Sequence, residues 1–217
     1  RQMCIRDRCD MKHLDYSQQE SWREVGDTSF QSPIAISSQQ AKNGMQPDLI
    51  THFSGQTLFE DRVVGEQFLV SGTLEIADET WTLERFHFHD GAEHLVDDVR
   101  HDIEIHFVYH HDDRILVLAV FGDVTSVESD THIPEVFSEA IDAQLLTNWL
   151  PKDQSYYRYV GSLTTPPLGE NVTWLIFSHP IAISEDDLSV IHQHYPNNYR
   201  DVQDIAGREI VSVDLSK

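Results

Sequence analysis

Phenylalanine and histidine alternate in the stretch RFHFHDGAEH, which holds three histidines and a glutamate within ten residues. On a β-strand, successive side chains point to opposite faces of the sheet. Phe86 and Phe88 would therefore pack on a core, while His87 and His89 would present two imidazoles about 7 Å apart on the other face. Histidines crowded beside a carboxylate in this way indicate a metal site.

A second segment, DIEIHFVYH, repeats this alternation, with apolar side chains on one face and Glu104 and His106 on the other. If the two strands are neighbours in a sheet, His87, His89 and His106 converge on one point. Three neutral imidazoles with the fourth position left to water form a ligand set of catalytic zinc. The pattern therefore predicts a zinc ion held by these three histidines.

Spacing alone permits another metal chemistry. The order His87, His89, Glu93 is similar to the first metal motif of the cupins, where the glutamate is also a ligand and the metal is iron or manganese. That motif calls for glycines at two positions that Trp81 and Arg100 occupy here. The second cupin motif, with Pro-x-Gly before a histidine, is missing as well, which weakens this interpretation.

The elements that must position these side chains are mainly strands. Period-2 or β-rich segments are separated by turn-like breaks at SG, DDVR and HHDD, and the segments are TLFEDRVVGEQFLVSG, TLEIADETWTLERFHFH, DIEIHFVYHH, RILVLAVFG, VTWLIFS and EIVSVDL. Apolar side chains at helical spacing predict a helix in IPEVFSEAIDAQLLTNWL. Ser184 is a suitable N-cap for a second helix in SEDDLSVIHQHY. We predict a mainly β domain with short peripheral helices.

Composition limits the partners of the chain. Of its 217 residues 40% are hydrophobic, enough for one domain with a sizeable core. Its 15 lysines and arginines are outnumbered by 37 aspartates and glutamates, which gives a formal net charge of −22. The absence of a basic footprint argues against nucleic acid and against an anionic membrane surface as partners. The sequence also lacks a run of about 18 apolar residues that could span a bilayer.

The N-terminal stretch RQMCIRDRCD contains both cysteines, Cys4 and Cys9, and lacks the apolar core of an intact signal peptide. We expect residues 1–12 to be a disordered or non-native extension and residues 13–217 to form the catalytic domain. Because the domain needs no disulfide, the compartment stays open.

Segments far apart in the chain resemble the α-class carbonic anhydrases, in the order in which that family has them. They are QSPIAI, FHFHDGAEHLVD, EIHFV and GSLTTPPLGENVTW, with HLDYSQQESW and NNYRDVQDIAGREI towards the two ends. The resemblance covers about residues 13–217, and the pairing of FHFH with GSLTTPP is highly specific. It implies a single α+β domain, mainly β, around a large twisted, mostly antiparallel sheet of about ten strands, with zinc at the bottom of a conical cleft.

The same resemblance implies the reaction, the reversible hydration of CO2 to bicarbonate and a proton by zinc-bound hydroxide. It assigns zinc to His87, His89 and His106. Zinc lowers the pKa of bound water to about 7, a value established on carbonic anhydrase itself. Glu93 is then not a ligand but accepts a hydrogen bond from the hydroxyl of Thr164. The Thr164 hydroxyl has one proton to give, and that proton is engaged with Glu93. Its oxygen must therefore accept a hydrogen bond from the zinc-bound hydroxide, which directs a lone pair of the hydroxide at the substrate.

The resemblance also implies a substrate pocket. CO2 is small and apolar, so its site should be an apolar wall beside the metal. The family match assigns the pocket to five residues, namely Val108, Val117, Leu163, Thr165 and Trp174.

Glu104 and Arg85 differ in whether they can accept a hydrogen bond from a predicted ligand histidine. Glu104 fits as the acceptor for the second ring nitrogen of His106. Arg85 stands where the family usually has a glutamine that accepts from the first histidine, and a guanidinium has no acceptor. His87 must then find a carbonyl or water, and zinc affinity is expected to fall about 10-fold or more. His94 is expected to be a structural neighbour.

The resemblance implies that Arg62 replaces the family's proton-shuttle histidine. An arginine does not release its proton near pH 7, so it cannot carry protons out of the cleft. Catalysis is therefore expected to be slow in weak buffer and to be rescued by imidazole. The other candidates for a shuttle are expected to be surface histidines, namely His52, His101, His110 and His111.

The alternatives differ in class. A catalytically impaired binding module of the same fold is the non-enzymatic one, and the retention of Glu93, Thr164 and all three histidines argues against it. A cupin-type metal oxygenase is the alternative enzyme, and the identity of the bound metal would distinguish it from a carbonic anhydrase.

The implied partners are CO2 and bicarbonate. The sequence does not distinguish a monomer from a homodimer. Relatives are often periplasmic or secreted, but neither a signal peptide nor a disulfide pair supports export here.

Overall fold

The computed structural model of the chain describes residues 13–22, 29–45 and 49–216. The predicted N-terminal extension, with Cys4 and Cys9, lies outside the described residues. The strands are β1 (Ala35–Ile36), β2 (Lys42–Asn43), β3 (Ile50–Arg62), β4 (Gly65–Ile76), β5 (Glu79–Asp90), β6 (Leu95–Val96), β7 (Ile103–His111), β8 (Arg114–Val124), β9 (Tyr156–Ser162), β10 (Glu170–Phe177), β11 (Ile181–Ile183) and β12 (Val211–Val213). The α-helices are α1 (Ile133–Val136) and α2 (Glu185–His194), and 3₁₀ helices cover Tyr16–Trp22 and Ala143–Trp149.

Ten of these strands form one mixed sheet in the order β2-β12-β9-β10-β8-β7-β5-β4-β3, with β11 alongside β8. The pairs from β3 to β8 are antiparallel, as are β9 with β10 and with β12. Parallel pairing occurs at β8 with β10, β8 with β11 and β2 with β12. The predicted fold class is therefore confirmed: mainly β, around a large, mostly antiparallel sheet of about ten strands with short helices.

The alternation in β5 divides its side chains between the two faces of the sheet. Phe86 and Phe88 are fully buried in the larger of two apolar clusters, together with Phe107 from β7. The indole of Trp149 packs edge-on against Phe86, with ring centroids 5.1 Å apart. The histidines of β5 and β7 consequently lie on the opposite face, beside the smaller apolar cluster around Trp174. The core on one face thus fixes the register of the polar groups on the other.

The predicted helices have two outcomes. α2 begins as expected, because Ser184 accepts from the backbone N–H of Asp187 and the Asp187 carboxylate accepts in return from the N–H of Ser184. The single helix predicted for residues 133–150 is wrong. Thr57 of β3 exchanges hydrogen bonds with the backbone of Ile141, which interrupts the helical segment between α1 and the 3₁₀ helix. Among the described residues, none of the helices has the length and apolar character needed to cross a membrane.

Two strand predictions also need correction. The expected break at Ser71-Gly72 is not a turn, because β4 runs through it. Gly72 instead allows close approach of two backbones, since a Cβ there would lie 2.2 Å from the carbonyl oxygen of His52. Strand β9 was not predicted, although its aromatic and β-branched residues are typical of a strand.

Candidate metal centre

The three histidines predicted to bind zinc meet on adjacent strands. His87 of β5 lies directly opposite His106 of β7, and His89 follows two residues later on the same face. One nitrogen from each ring lies within 4.8 Å of the others. The ring centroids of His87 and His89 are 5.0 Å apart, closer than the 7 Å repeat of a strand, because the side chains lean together. The backbone register therefore brings the nitrogens together at a spacing suited to a single metal ion.

His89 is oriented by a residue far along the chain. Its Nδ1 donates a hydrogen bond to the backbone carbonyl of Asn198 at 2.6 Å. Because a neutral imidazole carries one N–H, Nε2 is left with a lone pair. That Nε2 is buried and has no hydrogen-bond partner within the described ranges. A buried acceptor without a donor is costly, and a metal ion would satisfy it.

His106 is held by a fully buried carboxylate, Glu104. Oε1 of Glu104 lies 2.7 Å from Nε2 of His106 and 2.8 Å from Nδ1 of His94, while Oε2 accepts the backbone N–H groups of Glu93 and His94. Burial raises the pKa of Glu104. The charges of His94 and His106 and their hydrogen bonds to Glu104 lower the pKa by more, so that it lies well below its usual value. The ionised carboxylate accepts a hydrogen bond from Nε2 of His106. The lone pair of Nδ1 is therefore available to a metal ion.

His94 is outside the histidine triad. It extends the hydrogen-bond network of Glu104 away from the triad. Its Nε2 lies 2.6 Å from the hydroxyl of Tyr159, which lies 2.7 Å from Oγ of Ser32. All three side chains are buried. His94 also forms a second possible metal-binding group with Glu104 and His106, and its role as a structural neighbour stays a prediction.

Arg85 lies close enough to His87 to affect it electrostatically. Burial lowers the pKa of His87 well below its usual value, and His89, His106 and Arg85 lower it further through charge repulsion. Arg85 itself pairs with Glu84 at 2.9 Å. Burial also lowers the pKa of His89, against the opposing effect of Glu93. Both imidazoles are consequently neutral at pH 7, as a metal ligand must be.

Glu93 is fully buried beside the triad but is outside the group of three nitrogens. Its Oε1 accepts the backbone N–H of Arg200 at 3.0 Å and lies 3.4 Å from Nδ1 of His89. Its Oε2 is buried without a hydrogen-bond partner in the part of the chain that the structure describes. Thr164 is also buried, and its hydrogen bond to Glu93 stays a prediction.

The predicted apolar wall includes three cross-strand neighbours. Val108 of β7 pairs with Val117 of β8, and Val117 pairs with Trp174 of β10. The indole of Trp174 lies edge-on to His106, with centroids 4.9 Å apart, and its N–H donates to the carbonyl of Ser162. These side chains form an apolar surface on the histidine face of the sheet.

A cleft of about 200 Å³ opens at His87 and His89. Leu163, Thr165, Arg62 and Arg85 are among the residues that line it, and the roles expected for them stay predictions. Arg62 donates a hydrogen bond to Oε1 of Gln67 at 3.4 Å. The four alternative shuttle candidates are absent from the described lining, namely His52, His101, His110 and His111.

Sequence reasoning assigned no role to Asn198, Arg200 or Tyr159. Asn198 contacts His89 directly, while Arg200 contacts Glu93 and Tyr159 contacts His94. Arg200 donates from its backbone to Glu93 and from its guanidinium to Gln31 and to the carbonyl of Ser32. The segment NNYRDVQDIAGREI carried a signal for two of them, because it is part of the family resemblance. Their roles depend on backbone atoms, which a sequence pattern does not display.

Comparisons with known proteins agree with this geometry. The family model described as eukaryotic-type carbonic anhydrase matches residues 17–214. A carbonic anhydrase from Pectobacterium carotovorum is 32% identical over 195 residues, which cover 83% of this chain and 79% of that protein. The α-carbonic anhydrase of Photobacterium profundum superposes with a TM-score of 0.78 at 26% identity, covering 89% of this chain and 94% of the other. The Thermovibrio ammonificans α-carbonic anhydrase, solved with the inhibitor sulfanilamide, gives 0.76 at 26% identity, with coverage of 84% and 87%.

Proposed function

Since the chain belongs to the eukaryotic-type carbonic anhydrases, a family of zinc enzymes, we propose that it hydrates CO2 reversibly to bicarbonate and a proton with zinc on His87, His89 and His106. The observation that carries the proposal is the buried Nε2 of His89, which lacks a hydrogen-bond partner within the described ranges while its Nδ1 is held by Asn198. The cupin interpretation is wrong, because the family match assigns the chain elsewhere.

The donor set fits zinc. Three imidazoles, with no fourth protein ligand grouped with them among the described residues, leave a position open, as in catalytic rather than structural zinc sites. Two of the three rings have their distal nitrogen engaged, His89 by a backbone carbonyl and His106 by Glu104. Such partners fix the ring and raise its basicity. Zinc bound there would supply the Lewis acidity that activates water at neutral pH.

Thr164 and Glu93 are proposed to orient the attacking water. Oε2 of Glu93, which has no hydrogen-bond partner among the residues that the structure describes, is available to accept the hydroxyl proton of Thr164. With that proton engaged, the Thr164 oxygen can only accept a hydrogen bond from the reacting water. The remaining lone pair of the water is then directed towards CO2.

The apolar wall is proposed to hold CO2. Val108, Val117 and Trp174 present no hydrogen-bonding group on their side chains other than the indole N–H, which is already committed to Ser162. Leu163 and Thr165 complete the pocket from the cleft side. An apolar surface does not compete with the zinc site for water and so favours a neutral, apolar substrate.

Stopped-flow CO2 hydration on zinc-loaded protein tests this function. We expect hydration that sulfanilamide inhibits and that His106→Ala abolishes together with zinc binding. His52→Ala is the matched control, because His52 is an exposed strand histidine outside the described cleft lining. Protein with one zinc per chain and no hydration would contradict the proposal and would favour the impaired binding module.

A further inference from the structure

Asp90, the last residue of β5, directly follows the proposed ligand His89 and has a side chain only 9% exposed. Its Oδ2 accepts two hydrogen bonds, from the backbone N–H of Asn197 at 2.8 Å and from Nδ1 of His192 at 2.6 Å. A buried carboxylate needs such donors, and both come from the α2 region of the chain. Asp90 therefore joins the end of β5 to α2 and to the segment that follows it.

The segment held by Asp90 is the one that orients His89. The side-chain amide of Asn198 bridges two backbone groups of β5, accepting from the N–H of Asp90 at 2.7 Å and donating to the carbonyl of Phe88 at 2.9 Å. Its backbone carbonyl accepts from Nδ1 of His89. The Asn198 carbonyl that orients the ring of His89 is thus held by hydrogen bonds to Phe88 and Asp90, the two residues that flank His89.

Asn197 is the point at which Asp90 acts. Its φ of 52° is in the left-handed region, which few residues other than glycine adopt and which asparagine adopts more readily than most. The hydrogen bond from its N–H to Asp90 stabilises that conformation and fixes the direction of the next carbonyl, that of Asn198. Removing the carboxylate would release this turn while leaving the ligand histidines in place.

We propose that Asp90 is a positioning residue for His89, and that His192 of α2 supports it by holding the Asp90 carboxylate. The inference rests on the proposed zinc site. The chain of contacts runs from His192 to Asp90, from Asp90 to Asn197 and Asn198, and from the Asn198 carbonyl to His89. Its effect is to keep Nε2 of His89 aimed at the metal.

Zinc retention tests this proposal without any measurement of CO2 hydration. Residues that orient metal ligands typically affect metal affinity by about 10- to 100-fold, so Asp90→Ala should raise the zinc dissociation rate by about that factor. Asp90→Asn keeps an oxygen that can accept from Asn197 and should restore most of the retention. His192→Ala should have a smaller effect than Asp90→Ala, because Asn197 still holds the carboxylate.

The control is Asp142→Ala, which also removes a carboxylate that accepts a backbone N–H, that of Gln144, at the 3₁₀ helix after α1. The visible spectrum of the cobalt-loaded protein gives a second readout, since it reports ligand geometry. We expect the spectrum to change in Asp90→Ala and not in Asp142→Ala.

Wild-type zinc dissociation and cobalt spectrum in Asp90→Ala would overturn the proposal, as would equal changes in Asp142→Ala. An unchanged dissociation rate in His192→Ala would overturn the part that involves α2. Failure of the zinc site itself is distinguishable, because His106→Ala would then bind zinc as well as the wild type.

Discussion

Oε1 of Glu104 lies 2.7 Å from Nε2 of His106, two residues further along the same strand. Of the three proposed ligands, His106 is the one most strongly oriented by the protein, because the Glu104 carboxylate is ionised and fully buried. At the other end of the triad, His87 has a guanidinium as its neighbour on β5, which offers no acceptor. The site is therefore unequal, with two ligands oriented by the protein and one less supported.

Arg85→Gln is expected to strengthen zinc binding. The glutamine carbonyl can accept from Nδ1 of His87, and loss of the guanidinium removes a charge that lowers the pKa of His87. We expect about a 10-fold gain in affinity, measured by competition with a chelator. Arg85→Met, which lacks both the charge and an acceptor, separates the two causes. An affinity in Arg85→Gln at or below the wild-type value would contradict this prediction.

Thr164→Val should retain zinc and lose turnover. Valine matches threonine in shape but cannot accept a hydrogen bond from the reacting water. A misoriented reactant typically costs about 100-fold, and we expect a loss of that size in kcat/KM for CO2 hydration. Thr164→Ser should keep most of the activity because it retains the hydroxyl. Wild-type kcat/KM in Thr164→Val would remove Thr164 from the mechanism.

Proton export should limit turnover in weak buffer. Arg62 lines the cleft and cannot exchange a proton near neutral pH. Added imidazole should therefore raise kcat by roughly 10-fold or more, with kcat/KM unchanged. Arg62→His should raise kcat in weak buffer and reduce the imidazole effect. A wild-type kcat that does not depend on buffer would refute this expectation.

Stability should fall above about pH 10, the ordinary pKa of tyrosine. Burial raises the pKa of Tyr109, Tyr159 and Tyr195 in the folded chain, with Glu66 and Asp61 adding to the effect at Tyr195. The unfolded chain then binds fewer protons than the native one, so the free energy of unfolding decreases as pH rises. Their contribution is fully present below pH 10 and is lost above it, by up to about 1.4 kcal/mol per tyrosine per pH unit.

Urea unfolding at several alkaline pH values, with tyrosinate absorbance, measures this effect. Tyr109→Phe is the control, because the Tyr109 hydroxyl is buried without a hydrogen-bond partner among the described residues and its removal breaks no bond there. Because Tyr16 and Tyr157 also have a raised pKa, Tyr109 is one of several contributors, and we expect this variant to show a smaller decline than the wild type. Tyrosinate forming at all three sites before the chain unfolds would show the prediction to be wrong.

The clustering of the three histidines could be predicted from sequence because its geometry follows from strand periodicity. Alternation placed His87, His89 and His106 on one face, and only the pairing of β5 with β7 had to be assumed. The same reasoning predicted the strands that carry long alternating patterns. It gave the N-cap at Ser184 because capping depends on local residues.

What the sequence did not reveal depends on contacts between distant backbone groups. The predicted helix after residue 133 is interrupted because Thr57 binds the backbone of Ile141, a long-range contact that local propensity does not contain. Asn198 acts on His89 through its carbonyl, which every residue has. Asp90 was assigned no role from the sequence, and its proposed role follows from the hydrogen bonds that His192 and Asn197 make to it.

The alternation of β5 has a consequence for how this protein can change over evolutionary time. Phe86 and Phe88 are packed in the core on one face, while His87 and His89 face the proposed metal on the other, so no position in this run is free to drift. The edge strand β3 is different, since Leu58 is mostly exposed there and Phe59 is partly exposed. Divergence between lineages should accumulate in β3 well before it reaches β5, and substitutions in β5 should occur in compensating pairs.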